Sequence, residues 1–401
     1  MKRAVVLLAV LLAPASAWVL QTAAAASPDA AIHAAEAWAF PKPHSPDTSL
    51  PKASQVAKPD PHAPMHVPGS TRTYTRAELA GGFEVADWFP QNHPPMPHIV
   101  AFGRKPAYAC AACHNAGGEG YPASASLSGL SVAYLREQLQ AFRDGQRYND
   151  VMAKEARNLD QADEQAAIAY FSGLKFTPHV RMMEAASVPK THWSGDVLAP
   201  NKNGAREPIG ERIVEVAPED GEHGSEHVVY TAYVPPGSIA AGEQIAAHGA
   251  GTAPSCESCH GAALQGVGDI PYLAGRSPTF IVRELILFRL GKRTNAGAAP
   301  MVQEVSHLTL KDMIDVAAYA ASRAGSKNDA VRLSADEAVC AQGSVTGARE
   351  CVARPLASAR PLALRGEKTN RELTMLSGVP APRPATAQTV AIPIKSASEG
   401  S

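Results

Sequence analysis

Cys110-Ala111-Ala112-Cys113-His114 and Cys256-Glu257-Ser258-Cys259-His260 decide how this chain is read. Each is a C-x-x-C-H, the pattern of covalent c-type haem attachment. Two thiols three positions apart reach the two vinyl groups of one porphyrin and become thioethers. The histidine that follows puts an imidazole on the iron as proximal ligand. The competing reading is a zinc-binding or redox C-x-x-C with a histidine beside it by accident. Two copies in a chain that opens like an exported one argue against that accident. The expected cofactors are two covalently attached haem c groups. Cys110, Cys113, Cys256 and Cys259 would form the thioethers, and His114 and His260 would bind the irons.

The two motifs sit inside a longer internal repeat. Adding 146 to a position in the first copy lands on its partner in the second: Ile99 on Ile245, Gly103 on Gly249, Gly120 on Gly266, Tyr134 on Phe280. Leu127-Ser128-Gly129 maps to Leu273-Ala274-Gly275, and Leu139, Phe142, Arg143 and Gly145 map to Leu285, Phe288, Arg289 and Gly291. Beyond that glycine the second copy carries three extra residues, and at an offset of 149 Met152 maps to Met301, Glu155 to Glu304, Asp163 to Asp312 and Tyr170 to Tyr319. The pattern is that of a duplicated domain.

Each copy reads as a few short helices. Val132, Leu135, Leu139 and Phe142 recur at helical spacing before Gly145, and Ile281, Leu285 and Phe288 repeat that face before Gly291. Thr309-Leu310-Lys311-Asp312 is a capping-box start for a last helix with Val316, Ala317 and Ala320 inward. Asp160 caps its counterpart, which buries Ile168 and Phe171.

A low-spin haem that carries electrons has both axial positions filled, and methionine there raises the potential. Met152 and Met301 each follow a Gly-x-Arg-x-Asn (Gly145 to Asn149, Gly291 to Asn295) and are the candidate sixth ligands, against core filling as the alternative. Met96 is the rival for the first haem; Met182, Met183 and Met313 lack counterparts and read as packing or linker residues. Pro271 stands eleven residues after His260, where its carbonyl can take the ring's other nitrogen; the first copy has Ala125 there, with Pro122 nearby. That departure is expected to make the two haems unequal in potential.

Around the copies, Lys2 and Arg3 precede an apolar run from Ala4 to Leu12 and small-residue exits at Ala15-Ser16-Ala17 and Ala24-Ala25-Ala26. Residues 1–26 therefore read as a cleaved export signal, with a retained anchor as the alternative. Residues 27–75, rich in Pro, Ala and His, read as a solvated linker, and His44, His62 and His66 lack thiol or acidic partners at ligand spacing. The first domain is expected over 76–178, an insert over 179–236, the second domain over 237–325, and a mostly disordered tail over 326–401. In the insert, Ile213 to Val216 and Val228 to Val234 are runs that suggest a β-hairpin with a long loop. Cys340 and Cys351, beyond the haem motifs, either pair in an oxidising compartment or stay free. The chain is 45% apolar and 6% aromatic, which suits small helical domains, and its net charge of −1 gives no basic footprint for nucleic acid.

These residues resemble the class I c-type cytochromes, in particular the two-domain dihaem kind typified by cytochrome c4, over 95–178 and 237–325. The resemblance implies an all-α fold: two tandem cytochrome c domains related by internal duplication, joined by the insert with its β-hairpin. It implies His–Met irons passing single electrons in the periplasm, so an electron carrier rather than an enzyme. The implied partners are periplasmic redox proteins, a donor and an acceptor, with a dehydrogenase catalytic subunit and a peripheral membrane contact as further options. The rival readings are a dihaem oxidoreductase (thiosulfate-dehydrogenase-like or peroxidase-like) and the cytochrome subunit of a periplasmic dehydrogenase complex. The long lead, the insert and the tail fall outside the pattern.

Overall fold

Helix starts in this chain are written as Ser, Asn, Asp or Thr ahead of an apolar face, and the computed structural model has a capped helix at each of them. It describes residues 28–43, 45–52, 60–79, 81–218, 225, 227–323, 338–341 and 350–353. The expected leader, His44, the long loop of the expected hairpin and most of the expected tail lie outside the described residues.

The helices used below are α1 (Pro28–Ala39), α2 (His98–Ala101), α3 (Ala111–His114), α4 (Val132–Arg143), α5 (Asp150–Arg157) and α6 (Gln161–Gly173), then α7 (Ser238–His248), α8 (Cys256–His260), α9 (Pro278–Arg289), α10 (Ala299–Val305) and α11 (Leu310–Ser322). Ser131, Asn149, Asp160, Ser255, Ser277 and Thr309 each accept a first-turn N–H, and Thr309 with Asp312 completes the capping box. Such caps satisfy donors that would otherwise be orphaned at the helix start. Gly145 and Gly291 end α4 and α9 at φ +73° and +64°.

The first helical set closes on Ile99, Leu130, Leu135, Ile168 and Phe171, and the second on Leu264, Val282, Leu285, Ile286, Met313 and Ile314. In the second, α7 lies directly on α11. A Cβ on Gly242 would fall 1.9 Å from the Asp315 carbonyl oxygen, so only glycine allows that approach.

Two expectations need correction. The chain is not all-α. Between α6 and α7 run β1 (Val180–Glu184), β2 (Ser187–Pro189), β3 (Thr191–Ser194), β4 (Val197–Pro200), β5 (Arg206–Pro208), β6 (Val214–Val216) and β7 (Tyr230–Val234). Five of them form a mixed sheet in the order β1-β7-β6-β4-β3, with β2 and β5 paired separately. The expected hairpin is there, β6 antiparallel to β7 with Val214 opposite Tyr233, as the centre of that larger sheet. Flanking strands such as Thr191–Ser194 carry too few apolar residues to stand out in a sequence.

The second correction concerns the lead. Residues 28–39 form α1, which packs against α9 and α11 and buries Ile32, Ala35 and Ala39 to 1% exposure or less. Alanines at this spacing make a thin apolar stripe, which fits where backbones come close. Further on, Pro64–Met65 pairs with Tyr74–Thr75, and Val67, Trp88 and Phe89 form a small cluster of their own. Ala338–Ala341 and Glu350–Ala353 are antiparallel, with Cys340 opposite Cys351 in register. No helix among the described residues is long and apolar enough to cross a membrane.

Candidate haem-attachment sites

Both C-x-x-C-H motifs fold as one-turn helices, α3 and α8, so cysteines three apart share a side and the histidine follows at the last turn. The chain then turns back. Gly120 N–H donates to the His114 carbonyl at 3.0 Å, and Gly266 N–H to the His260 carbonyl at 2.7 Å. Both glycines have positive φ (+69° and +79°), and a Cβ on either would meet the backbone of the returning strand within 3 Å. The return brings a carbonyl to each imidazole. His114 Nδ1 lies 2.8 Å from the Ala125 oxygen, and His260 Nδ1 lies 2.8 Å from the Pro271 oxygen, each eleven residues on.

A carbonyl oxygen only accepts, so Nδ1 carries the proton in both rings and Nε2 keeps its lone pair. Burial pushes both imidazoles below their ordinary pKa; the carbonyl bonds act in the opposite sense, and Arg147 near His114 and Arg276 near His260 add to the lowering. Both rings are buried, at 8% and 6% exposure. Neutral, oriented imidazole with a free Nε2 is what an iron takes. The thiols fit as well. Burial pushes Cys110 up to about 12 and Cys256 up to about 11, so neither is a ready thiolate. A thioether has no charge to lose, and the same burial costs it nothing. The expected bond from His260 to Pro271 is present, and Ala125 supplies an equal one, so the Ala/Pro difference leaves the two imidazoles alike in this respect.

Met152 sits half-buried on the first turn of α5, its N–H held by Asn149 Oδ1 at 2.9 Å. Met301 is half-buried on α10 and packs, with Cys256, against the second core. Met96, the rival, packs against the first core. Met313 is fully buried, as packing residues are. No group of three or more His, Cys, Asp or Glu suited to a metal ion occurs among the described residues, which include His62 and His66.

One cluster escaped the sequence reading. Arg147 donates to Gln138 Oε1 (2.9 Å) and Glu284 Oε2 (3.0 Å), while Arg293 donates to Glu284 Oε2 (2.6 Å) and Gln138 Oε1 (2.9 Å). Arg147 and Arg293 are related by the 146-residue offset, and so are Gln138 and Glu284. The four form a closed, nearly two-fold ring between the helical sets. Backbone bonds from Tyr148 N to Lys292 O and from Thr294 N to Gln146 O flank it. Both arginines belong to the repeated Gly-x-Arg-x-Asn, and that repetition was the available signal. Arg283 is also close enough to lower the Glu284 pKa, so three buried guanidiniums act on one carboxylate here, a surplus of positive charge.

No protein-family model matches the chain. It is 31% identical to the thiosulfate dehydrogenase electron acceptor of Thiomonas intermedia, over 47% of this chain and 66% of that one. It is 25% identical to cytochrome c4 of Pseudomonas aeruginosa, over 55% of this chain and 86% of that one. Over a shorter stretch, 17% of this chain, it is 36% identical to cytochrome c-554(548) of Halomonas halodenitrificans and covers 84% of it. Among solved structures, the thiosulfate dehydrogenase TsdBA of Marichromatium purpuratum is matched at 28% identity and a TM-score of 0.38, over 60% of this chain and 42% of that one.

Proposed function

This chain belongs to the class I c-type cytochromes of the dihaem kind, with covalently bound haem c and a part in electron transfer, and on that premise we propose a periplasmic two-centre carrier of single electrons. Cys110 and Cys113 hold one haem and Cys256 and Cys259 the other, with His114 and Met152 on one iron and His260 and Met301 on the second. Haem c, when bound, supplies a reversible ferric/ferrous couple. The chain's own residues fix the rest. The Ala125 and Pro271 carbonyls hold the Nδ1 protons and so aim Nε2. The apolar faces of α4, α6, α9 and α11 exclude water, and the buried arginine ring supplies positive charge between the centres. The observation that carries the reading is the pair of neutral imidazoles, each locked by a 2.8 Å bond to a carbonyl eleven residues on.

Met152 and Met301 would complete the ligand sets begun by His114 and His260, which would leave no position for a substrate and make transfer outer-sphere. A domain duplication accounts for the shared offset of cysteines, histidines, glycines and arginines. The relative named as an electron acceptor of thiosulfate dehydrogenase supports a dehydrogenase as the donor, met in a small and short-lived contact.

Absorption spectra of oxidised and reduced protein test this. Two low-spin haems with the near-infrared methionine-to-iron band are expected, and replacing Met152 or Met301 one at a time should abolish that band for one haem each. A high-spin ferric signal in the unaltered protein, or loss of neither band in the variants, refutes the ligand assignment.

A further inference from the structure

The two attachment sites are not equally reachable, and the difference comes from the parts of this chain outside the repeat. Each motif is followed by the same tight turn. Tyr121 and Ser124 exchange two backbone bonds (3.2 and 2.8 Å), and so do their offset partners Val267 and Ile270 (3.1 and 3.0 Å). One local structure thus occurs twice, and its surroundings can be compared like for like.

In the first copy none of residues 121–124 is exposed; in the second all of 267–270 are. Tyr121 packs against Val197, Ala217, Val228 and Tyr230 of the insert, and its hydroxyl reaches Asp196 Oδ2, at the tip between β3 and β4, at 3.4 Å. The Pro122 and Ala123 carbonyls accept from Arg283 at 3.0 and 3.2 Å, and the same guanidinium holds the end of α1 through the Ala39 carbonyl at 2.9 Å. Insert, α1 and α9 therefore converge on this turn. The Tyr121 side chain also lies within hydrogen-bonding reach of the Cys113 sulfur. In the second copy Val267 and Ile270 stand 56% and 41% exposed, and Cys259 is exposed where Cys113 is only half so. A Cβ on Gly268 would meet nothing within 4 Å.

We propose that the insert and α1 seal the cysteine-side edge of the first attachment site, so that soluble one-electron agents reach the chain at the second, through the open turn 267–270 beside Cys259. The inference rests on the carrier reading above and adds a direction to it. Each encounter moves one electron, the outside donor losing it as the chain gains it, or the reverse for an acceptor. The first site would then exchange electrons with the second within the chain. Val267 stands in solvent where its counterpart Tyr121 is packed within the insert.

The test uses the full holoprotein and a small soluble gadolinium chelate as the probe. Haem-methyl proton resonances are assigned to each site by the shifts that Met301→His alone produces. The chelate is expected to broaden the second site's resonances severalfold more than the first's. Tyr121→Val and Asp196→Ala, which give the first turn the openness of the second, should raise broadening at the first site and leave the second unchanged. Equal broadening at both sites of the unaltered protein overturns the proposal, as does a first site that stays dark to the probe in both variants while each remains folded by circular dichroism. Failure of the carrier reading looks different: the spectra then lack two low-spin haems before any probe is added.

Discussion

Single residues here carry charge into places that water does not reach. Glu284 is the one carboxylate shared by Arg147 and Arg293, and Gln138 occupies the offset-related place. Glu284→Gln leaves two buried guanidiniums without a counter-charge, and by the usual cost of breaking a buried pair it should destabilise the protein by about 3 kcal/mol in urea unfolding. Adding Gln138→Glu to that variant moves the carboxylate across the two-fold ring, and most of the loss should return. If the double variant is as unstable as the single one, the ring is not symmetric in energy. His179 is a second case. It lies between Phe176 and Tyr230, and burial pushes its pKa down from 6.5 to about 4, with Arg276 adding to the lowering and a hydrogen bond with the Thr177 backbone opposing it. The folded chain keeps this imidazole neutral while the unfolded chain protonates it, so the unfolded state binds more protons between those values. The stability it contributes is complete above about pH 6.5 and drains away as pH falls toward 4, by about 3 kcal/mol. His179→Gln should flatten the stability profile over that window by a similar amount, and equal slopes for the two proteins would refute the assignment.

Elements show where the sequence could be read and where it could not. The helices of both copies announced themselves because their signals are local: a cap such as Asp160 or Thr309, a face such as Leu135 and Phe142, a stop at Gly145. The haem motifs were legible for the same reason, since five adjacent residues state the whole chemistry. The carbonyl of Pro271 could be placed by counting. What stayed hidden depends on distant partners. The α1 segment has an apolar side made almost entirely of alanine, and nothing in it says that α9 and α11 will cover it. The outer strands of the insert become strands only beside β6 and β7. Arg283 looks like any helical arginine until three carbonyls from two distant segments converge on it. The α1 packing makes its own prediction. Ile32, 1% exposed in the second core, is its largest fully buried side chain, and Ile32→Ala should cost about 3 kcal/mol. A loss below about 0.5 kcal/mol, the range of surface substitutions, would mean that α1 is not docked in solution.

At the scale of the whole molecule, the question is whether two haem-bearing sets of helices behave as one body or two. Tandem domains joined only by a linker unfold independently, each at its own denaturant concentration. Here the sets share side chains. Tyr272, which follows the second motif, is buried in the first core, packs at a tilt against Phe176 with 4.8 Å between ring centres, and donates to the Ser128 carbonyl at 2.8 Å. Arg276 donates to the Ser126 carbonyl at 2.7 Å. With the arginine ring and the contacts of Arg283, the first set cannot open without stripping partners from the second. Unfolding in guanidinium should therefore be one cooperative step, with helix loss by circular dichroism and haem exposure by absorption sharing a midpoint. Tyr272→Ala removes an aromatic anchor worth about 3–5 kcal/mol in a buried site, and it does so from the first core through a residue of the second. The variant should split the transition in two, the first set melting at lower denaturant while the second keeps a midpoint close to its own. A single unshifted transition in that variant would show that the sets are coupled elsewhere, and two separate transitions in the unaltered protein would show that they are not coupled at all.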